Sequence, residues 1–193
     1  VVLDRGVRVE IWSDVVCPWC YIGTTNLKQA IERFDGDVEV QFRAYQLDPG
    51  APEKPVSAVD HLAARYGGGR DQALMMMRQV TAVAATVGLQ FHLEDSLTGQ
   101  TLDAHRVLHL AAQWNLQPQV AGRLFAAHFT ENRSVFATDP LTQLAAEAGQ
   151  DCADALQLLL TLPAGALGKT GLQDAHRDRL VLDLRALVLA RGN

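Results

Sequence analysis

The chain has 193 residues, 48% hydrophobic and 20% charged, with a formal net charge of −5. That apolar fraction with so little net charge excludes intrinsic disorder, and three cysteines in this length exclude a disulfide-stapled scaffold. The mild acidity leaves no basic face for nucleic acid. No apolar run approaches the roughly 18 residues that a membrane-spanning helix needs. Val1-Val2-Leu3-Asp4-Arg5-Gly6 lacks the basic stretch and apolar core of a secretory leader, so a cytoplasmic location is expected. The chain opens on Val1 rather than Met, which leaves room for a removed leader.

In chain order, Val7-Arg8-Val9-Glu10-Ile11-Trp12 alternates apolar and polar residues and is predicted as a strand. Ser13-Asp14 breaks the alternation and Cys17-Pro18-Trp19-Cys20 follows. Residues 21–34 are predicted as a helix, with Ile22, Leu27, Ala30, Ile31 and Phe34 close to helical spacing. Asp35-Gly36-Asp37 is a turn, and 38–45 alternates again as a second strand. Strand, helix, strand in this order predicts a parallel pair with a right-handed crossover. The segment 47–56 carries Pro49, Pro52 and Pro55 and reads as a connection between units. Helices are then predicted over 57–66, 71–87, 102–114, 118–132, 140–148 and 152–160, with Asp139-Pro140 as an N-cap and first helical proline and Gly149 as a stop. In the tail, 180–184 fits a strand. Positions 180, 184, 187 and 188 also fit one helix face, and a helix over 176–190 is the expectation.

The chemistry concentrates at the CxxC. A cysteine at a helix start meets unpaired backbone N–H groups and the positive end of the helix dipole, and both favour the thiolate. In such settings the pKa falls from about 8.5 to roughly 3.5–7.5. Pro18 suits a first turn because it has no N–H to lose there, and Trp19 is expected to restrict access to the thiols. Cys17 is expected as the exposed nucleophile, and Cys20, one turn in, as the resolving thiol. A zinc site would need two further ligands. Cys152 and the histidines at 61, 92, 105, 109, 128 and 176 form no second tight pair, so no metal is expected. Cys152 reads as a free thiol.

Asp14, three residues before Cys17, has two readings: a cap on its own loop, or a proton relay at the thiols. His105 and His109 stand at i, i+4 on one predicted helix. His105 is the candidate to line the cleft and tune Cys17, and a packing contact between helices is the plainer reading. Met75-Met76-Met77 reads as core or as an adaptable surface, with at least one side chain turned outward, since three consecutive positions cannot share a helix face.

Ser13-Asp14-Val15-Val16-Cys17-Pro18-Trp19-Cys20-Tyr21-Ile22-Gly23 resembles the active-site segment of DsbA-type thioredoxin-fold proteins, in particular the FrnE-like branch. Arg43-Ala44-Tyr45-Gln46-Leu47-Asp48-Pro49, the helix from Thr101 to Ala111 and Leu124-Phe125-Ala126-Ala127-His128-Phe129-Thr130-Glu131 are similar to further segments of that branch, so the resemblance runs over about 8–171 in order. It implies an α/β, thioredoxin-like fold with a large inserted all-helical domain. Residues 1–55 and 161–193 would form the thioredoxin-like domain and 56–160 the insertion. It also implies thiol–disulfide oxidoreductase activity, with Cys17 as nucleophile and Cys20 as its partner. No cofactor beyond the dithiol is implied. Substrates would be disulfide- or thiol-containing proteins or small molecules, with glutathione a candidate co-substrate. Kappa-class glutathione transferases and hydroxychromene-carboxylate isomerases share the architecture but carry serine where Cys17 stands. A glutathione-dependent transferase or isomerase, or a non-catalytic binding module, is therefore the alternative, and the intact dithiol favours redox chemistry.

The resemblance further expects a cis-proline loop opposite the cysteines. Ala166-Leu167-Gly168-Lys169-Thr170-Gly171 is similar to its approach, and Leu172-Gln173 then stands where Val-Pro is expected. Leu172 and Gln173 are accordingly the candidate wall of the substrate cleft. A cis bond without proline costs about 2.5–4 kcal/mol, so none is expected at Gln173. The following Asp174-Ala175-His176-Arg177-Asp178-Arg179 is too charged for a central strand.

Overall fold

The computed structural model of the chain describes residues 6–149. β1 (Val7–Ser13) and β2 (Val38–Ala44) pair in parallel, in the register Val7 to Val38 through Ser13 to Ala44. The alternation read from the sequence separates the two faces. Val9, Ile11, Val40 and Phe42 turn inward, while Arg8, Glu10 and Trp12 turn outward. On the outer face Arg43 pairs with Glu10 at 2.5 Å, and Arg8 donates to the amide oxygen of Gln41 at 2.7 Å.

α1 (Pro18–Ile31) joins the strands. It begins three residues before the stretch that periodicity picks out, because Cys17 takes an extended N-cap conformation and Pro18 enters the first turn without losing a hydrogen bond. It also ends earlier. Phe34 lies in the closing turn, exposed, with its N–H donating to the carbonyl of Ile31.

The rest of the described chain is mainly helical. α2 (Ala58–Tyr66) is N-capped by the Ser57 hydroxyl, which accepts from the N–H of Asp60, and closes on Gly67 at φ 73°. That left-handed conformation suits glycine. α3 (Gly69–Thr86) follows, and of its methionines Met77 is buried, Met76 half-buried and Met75 exposed, as expected. α4 (Leu102–Ala111) runs into a 3₁₀ turn ending at Trp114; α5 (Gln117–Phe129) and α6 (Thr138–Ala148) complete the set. Asp139 is not the N-cap of α6. The helix starts from Ala137, so Asp139 and Pro140 lie within its first turn, where an acidic side chain meets the helix dipole and the missing proline N–H costs nothing. Gly149 does close α6, its N–H bonding the carbonyl of Ala145. An antiparallel ribbon of β3 (Val56–Ser57) and β4 (Leu97–Thr98) was not predicted, since two residues per strand carry no alternation to read.

The helices and the strand–helix–strand unit share one core. Val15, Ile22 and Phe42 belong to the same buried cluster as Val107, Leu108, Leu124 and Phe125. Gln117, at the start of α5, locks this packing. Its side-chain amide accepts from the N–H of Phe42 at 2.8 Å and donates to the carbonyls of Phe42 at 3.0 Å and Leu108 at 3.1 Å. It thereby satisfies peptide groups on the edge of β2 that faces away from β1. The helix predicted over 152–160, Cys152, the returning segment 161–193 and the cleft candidates Leu172 and Gln173 lie outside the described residues.

Gln117→Leu keeps similar bulk but removes three hydrogen bonds and strands the buried N–H and carbonyl of Phe42, while the Leu108 carbonyl keeps the N–H of Ala112. At roughly 1 kcal/mol for each hydrogen bond, urea unfolding should show a loss of about 3 kcal/mol.

Candidate active site

The end of β1 turns sharply to bring the cysteines to the start of α1. Cys17 N–H donates to the carbonyl of Asp14 at 3.0 Å, and the Cys17 carbonyl accepts from Cys20 N–H at 3.1 Å and Tyr21 N–H at 3.3 Å. Both thiols are therefore held across the first helical turn, and both are free.

Exposure differs from the expectation. Cys17 retains only 8% of its surface, whereas Cys20 is half-buried. The tight turn that delivers Cys17 to its N-cap position also encloses it, beside the fully buried Val15. Trp19 stands out at 55% exposure, more a surface beside the pair than a cover over it.

The two thiols differ in acidity. The Cys20 thiol acts most strongly on Cys17. Together with the backbone N–H groups of Cys20 and Trp19 it outweighs burial and the Asp14 charge, bringing Cys17 down from 9.0 to about 7. The same contact with Cys17, together with burial, pushes Cys20 up. The pair thus has one thiol that ionises near neutrality and one that keeps its proton.

Asp14 is 1% exposed. Its Oδ2 accepts from the N–H of Leu47 at 2.8 Å, so it caps the loop after β2 and not its own. Its Oδ1 lies 3.4 Å from Nε2 of His105, which α4 buries at the same point. Burial alone would raise the Asp14 pKa. His105, the Leu47 N–H and Thr101 outweigh it, and the carboxyl lies below its ordinary range. His109 does not share the environment of His105; it is exposed at the edge of the buried stripe of α4.

Further contacts had no clear signal in the sequence. The proline-containing connection is fastened to the helical part of the chain. Gln100 donates to the carbonyls of Pro49 and Ala51, each at 2.8 Å, and Asp48 takes His61 at 3.0 Å and Arg65 at 2.9 Å. Tyr21, directly after Cys20, stacks on Phe125 at 5.1 Å, Phe91 at 5.7 Å and Phe129 at 6.0 Å. His128 lies beside that cluster, edge-on to Phe129 and Phe136, and burial lowers its pKa to about 4. Among the described residues, no three His, Cys, Asp or Glu gather where they could hold a metal ion, and no helix is long and apolar enough to cross a membrane.

A cysteine pair across the first turn of a helix that follows a parallel strand defines a thioredoxin-type redox fold. The DSBA-like thioredoxin domain model matches residues 8–166, and the chain belongs to that family. Among solved structures, the chain is similar to the probable DsbA oxidoreductase SCO1869 from Streptomyces coelicolor, with 32% identity, 96% of this chain and 76% of that one covered, and a TM-score of 0.75. The cytosolic disulfide reductase DsbM from Pseudomonas aeruginosa shares the fold at 20% identity, with 96% of this chain and 80% of that one covered and a TM-score of 0.56. The protein YwbO of Bacillus subtilis (strain 168) is 26% identical over 173 residues, 89% of this chain and 81% of that one. The chain is an enzyme of the disulfide-oxidoreductase class.

The acidity of Cys17 is open to direct measurement. Its alkylation rate should climb as pH rises through about 7 and then level off. Cys20→Ala removes the largest contact favouring the thiolate, so the midpoint should move up towards 9.0. Alkylation followed by mass spectrometry of the Cys17 peptide reads both.

Proposed function

We propose that the protein exchanges disulfides through Cys17 as nucleophile and Cys20 as resolving thiol. The observation that carries this reading is the placement of both thiols across the first turn of α1, with Cys17 at the N-cap. In the reducing direction the Cys17 thiolate attacks one sulfur of a substrate disulfide. A mixed disulfide forms and the other substrate sulfur leaves as a thiolate, which takes up a proton. Cys20 then loses its proton and attacks Cys17 Sγ, releasing the second substrate thiol. The net exchange is enzyme dithiol plus substrate disulfide to enzyme disulfide plus substrate dithiol, and the oxidising direction is its reverse.

Pro18 fixes the first turn and Trp19 offers an exposed apolar surface to the substrate. Leu172 and Gln173 remain the proposed opposite wall, and 56–160 the proposed helical insertion. No cofactor is needed beyond the dithiol. Substrates are thiol- or disulfide-containing proteins or small molecules. Glutathione is the proposed thiol co-substrate, supported by the fold shared with DsbM, which has been solved with GSH. The cytoplasm is the proposed compartment, on the precedent of the same protein. Cysteine at 17, in place of the serine of the isomerase-type relatives, favours this reading over glutathione-dependent isomerisation.

Tryptophan emission followed across glutathione redox buffers should show one two-electron transition, and insulin reduction should depend on Cys17. Cys17→Ser should abolish both, and Cys20→Ser should accumulate the mixed disulfide. Undiminished activity in Cys17→Ser would overturn the proposal.

A further inference from the structure

We propose that His105 is the counter-charge of Asp14, and that through this buried pair the helical part of the molecule sets the acidity of Cys17. Asp14 and His105 are 1% and 2% exposed, and Oδ1 and Nε2 face each other at 3.4 Å. Neither atom has a hydrogen-bond partner in the structure, so each is left facing the other, and the second oxygen of Asp14 is taken by Leu47. Two acceptor lone pairs facing each other in a buried site would repel, so a proton lies between them and Nε2 of His105 carries it. A buried carboxylate without a counter-charge is costly. His105 from α4 faces Asp14 directly, Thr101 and the Leu47 N–H are its neutral partners, and its charge is also felt by Cys17 at the N-cap of α1, by Cys20 within α1 and by His128 of α5. Burial keeps His128 uncharged at neutral pH, so His105, whose Nε2 stands directly opposite Oδ1, is the group placed to balance the Asp14 charge.

The consequence at the dithiol follows from the sign of the charge. Asp14 alone opposes a thiolate at Cys17. Once His105 is protonated, Asp14 belongs to a dipole, whose field falls off faster than that of a single charge, and the opposition weakens. His105 is thus a positioning residue: it acts on Cys17 through Asp14 and touches no substrate. This inference rests on Cys17 being the reactive thiol.

The test is the pH profile of Cys17 alkylation by iodoacetamide in the unmutated protein, His105→Gln, Asp14→Asn and the double variant, with thermal unfolding run alongside. His105→Gln should raise the Cys17 midpoint by about one pH unit, roughly a tenfold loss of thiolate below the midpoint. The same change made on Asp14→Asn should shift it little. A His105→Gln shift that is absent, or of equal size with and without Asp14, overturns the proposal. Should the Asp14 variants fail to fold, ¹⁵N ring shifts of His105 in the unmutated protein serve instead. They should respond to the ionisation of Cys17, and a ring that ignores it overturns the proposal. An ordinary thiol profile in the unmutated protein would overturn the reading of Cys17 itself, and this proposal with it. A lowered profile indifferent to His105 overturns this proposal alone.

Discussion

The peptide groups of Phe42 that face away from β1 have to find partners, and the side chain of Gln117 supplies both. A pair of parallel strands cannot leave a buried edge unpaired, because each orphaned N–H or carbonyl costs as much as a lost hydrogen bond. Gln117 answers that demand with one planar amide and ties in the Leu108 carbonyl of α4 as well. The docking of α4 and α5 onto β2 follows from it. So do the contacts that matter at the cysteines: His105 beside Asp14, and Phe125 and Phe129 against Tyr21.

The acidity at Cys17 is a balance of opposed local effects. Burial and a carboxylate buried nearby disfavour the thiolate; the Cys20 thiol and the N–H groups at the start of α1 favour it, and they prevail. Asp14 has a separate structural role. By holding the Leu47 N–H it joins the loop after β1 to the loop after β2, and Gln100, His61 and Arg65 fasten that second loop to the helices. One carboxylate therefore serves both the shape of the site and its electrostatics.

Much of this was legible in the chain. Period-two alternation marked both strands and their inward faces, because a half-buried strand exposes every second side chain. The Pro18 position and the CxxC marked the start of α1, and Met75-Met76-Met77 divided between core and solvent as helical geometry requires. Other features carried no local signal. Gln117 is an ordinary polar residue until a strand edge comes against it. The β3–β4 ribbon is too short to alternate. Cys17 was expected to be the exposed thiol because it stands at the helix start with Cys20 one turn in, but here Cys17 is the more enclosed of the two.

The sequence by itself determined the strand–helix–strand order, the helical character of the segments that follow, and the identity and spacing of the two thiols. These depend on neighbours within a few residues, through alternation, helical period and first-turn capping. Tertiary structure alone decided which of those thiols is the more enclosed, which loop Asp14 caps, and which histidine meets it. Those outcomes depend on groups tens of residues apart, such as Asp14 with Leu47 and His105, or Phe42 with Gln117. Such groups meet only when apolar burial brings the helices onto the sheet and the backbone groups left there demand partners.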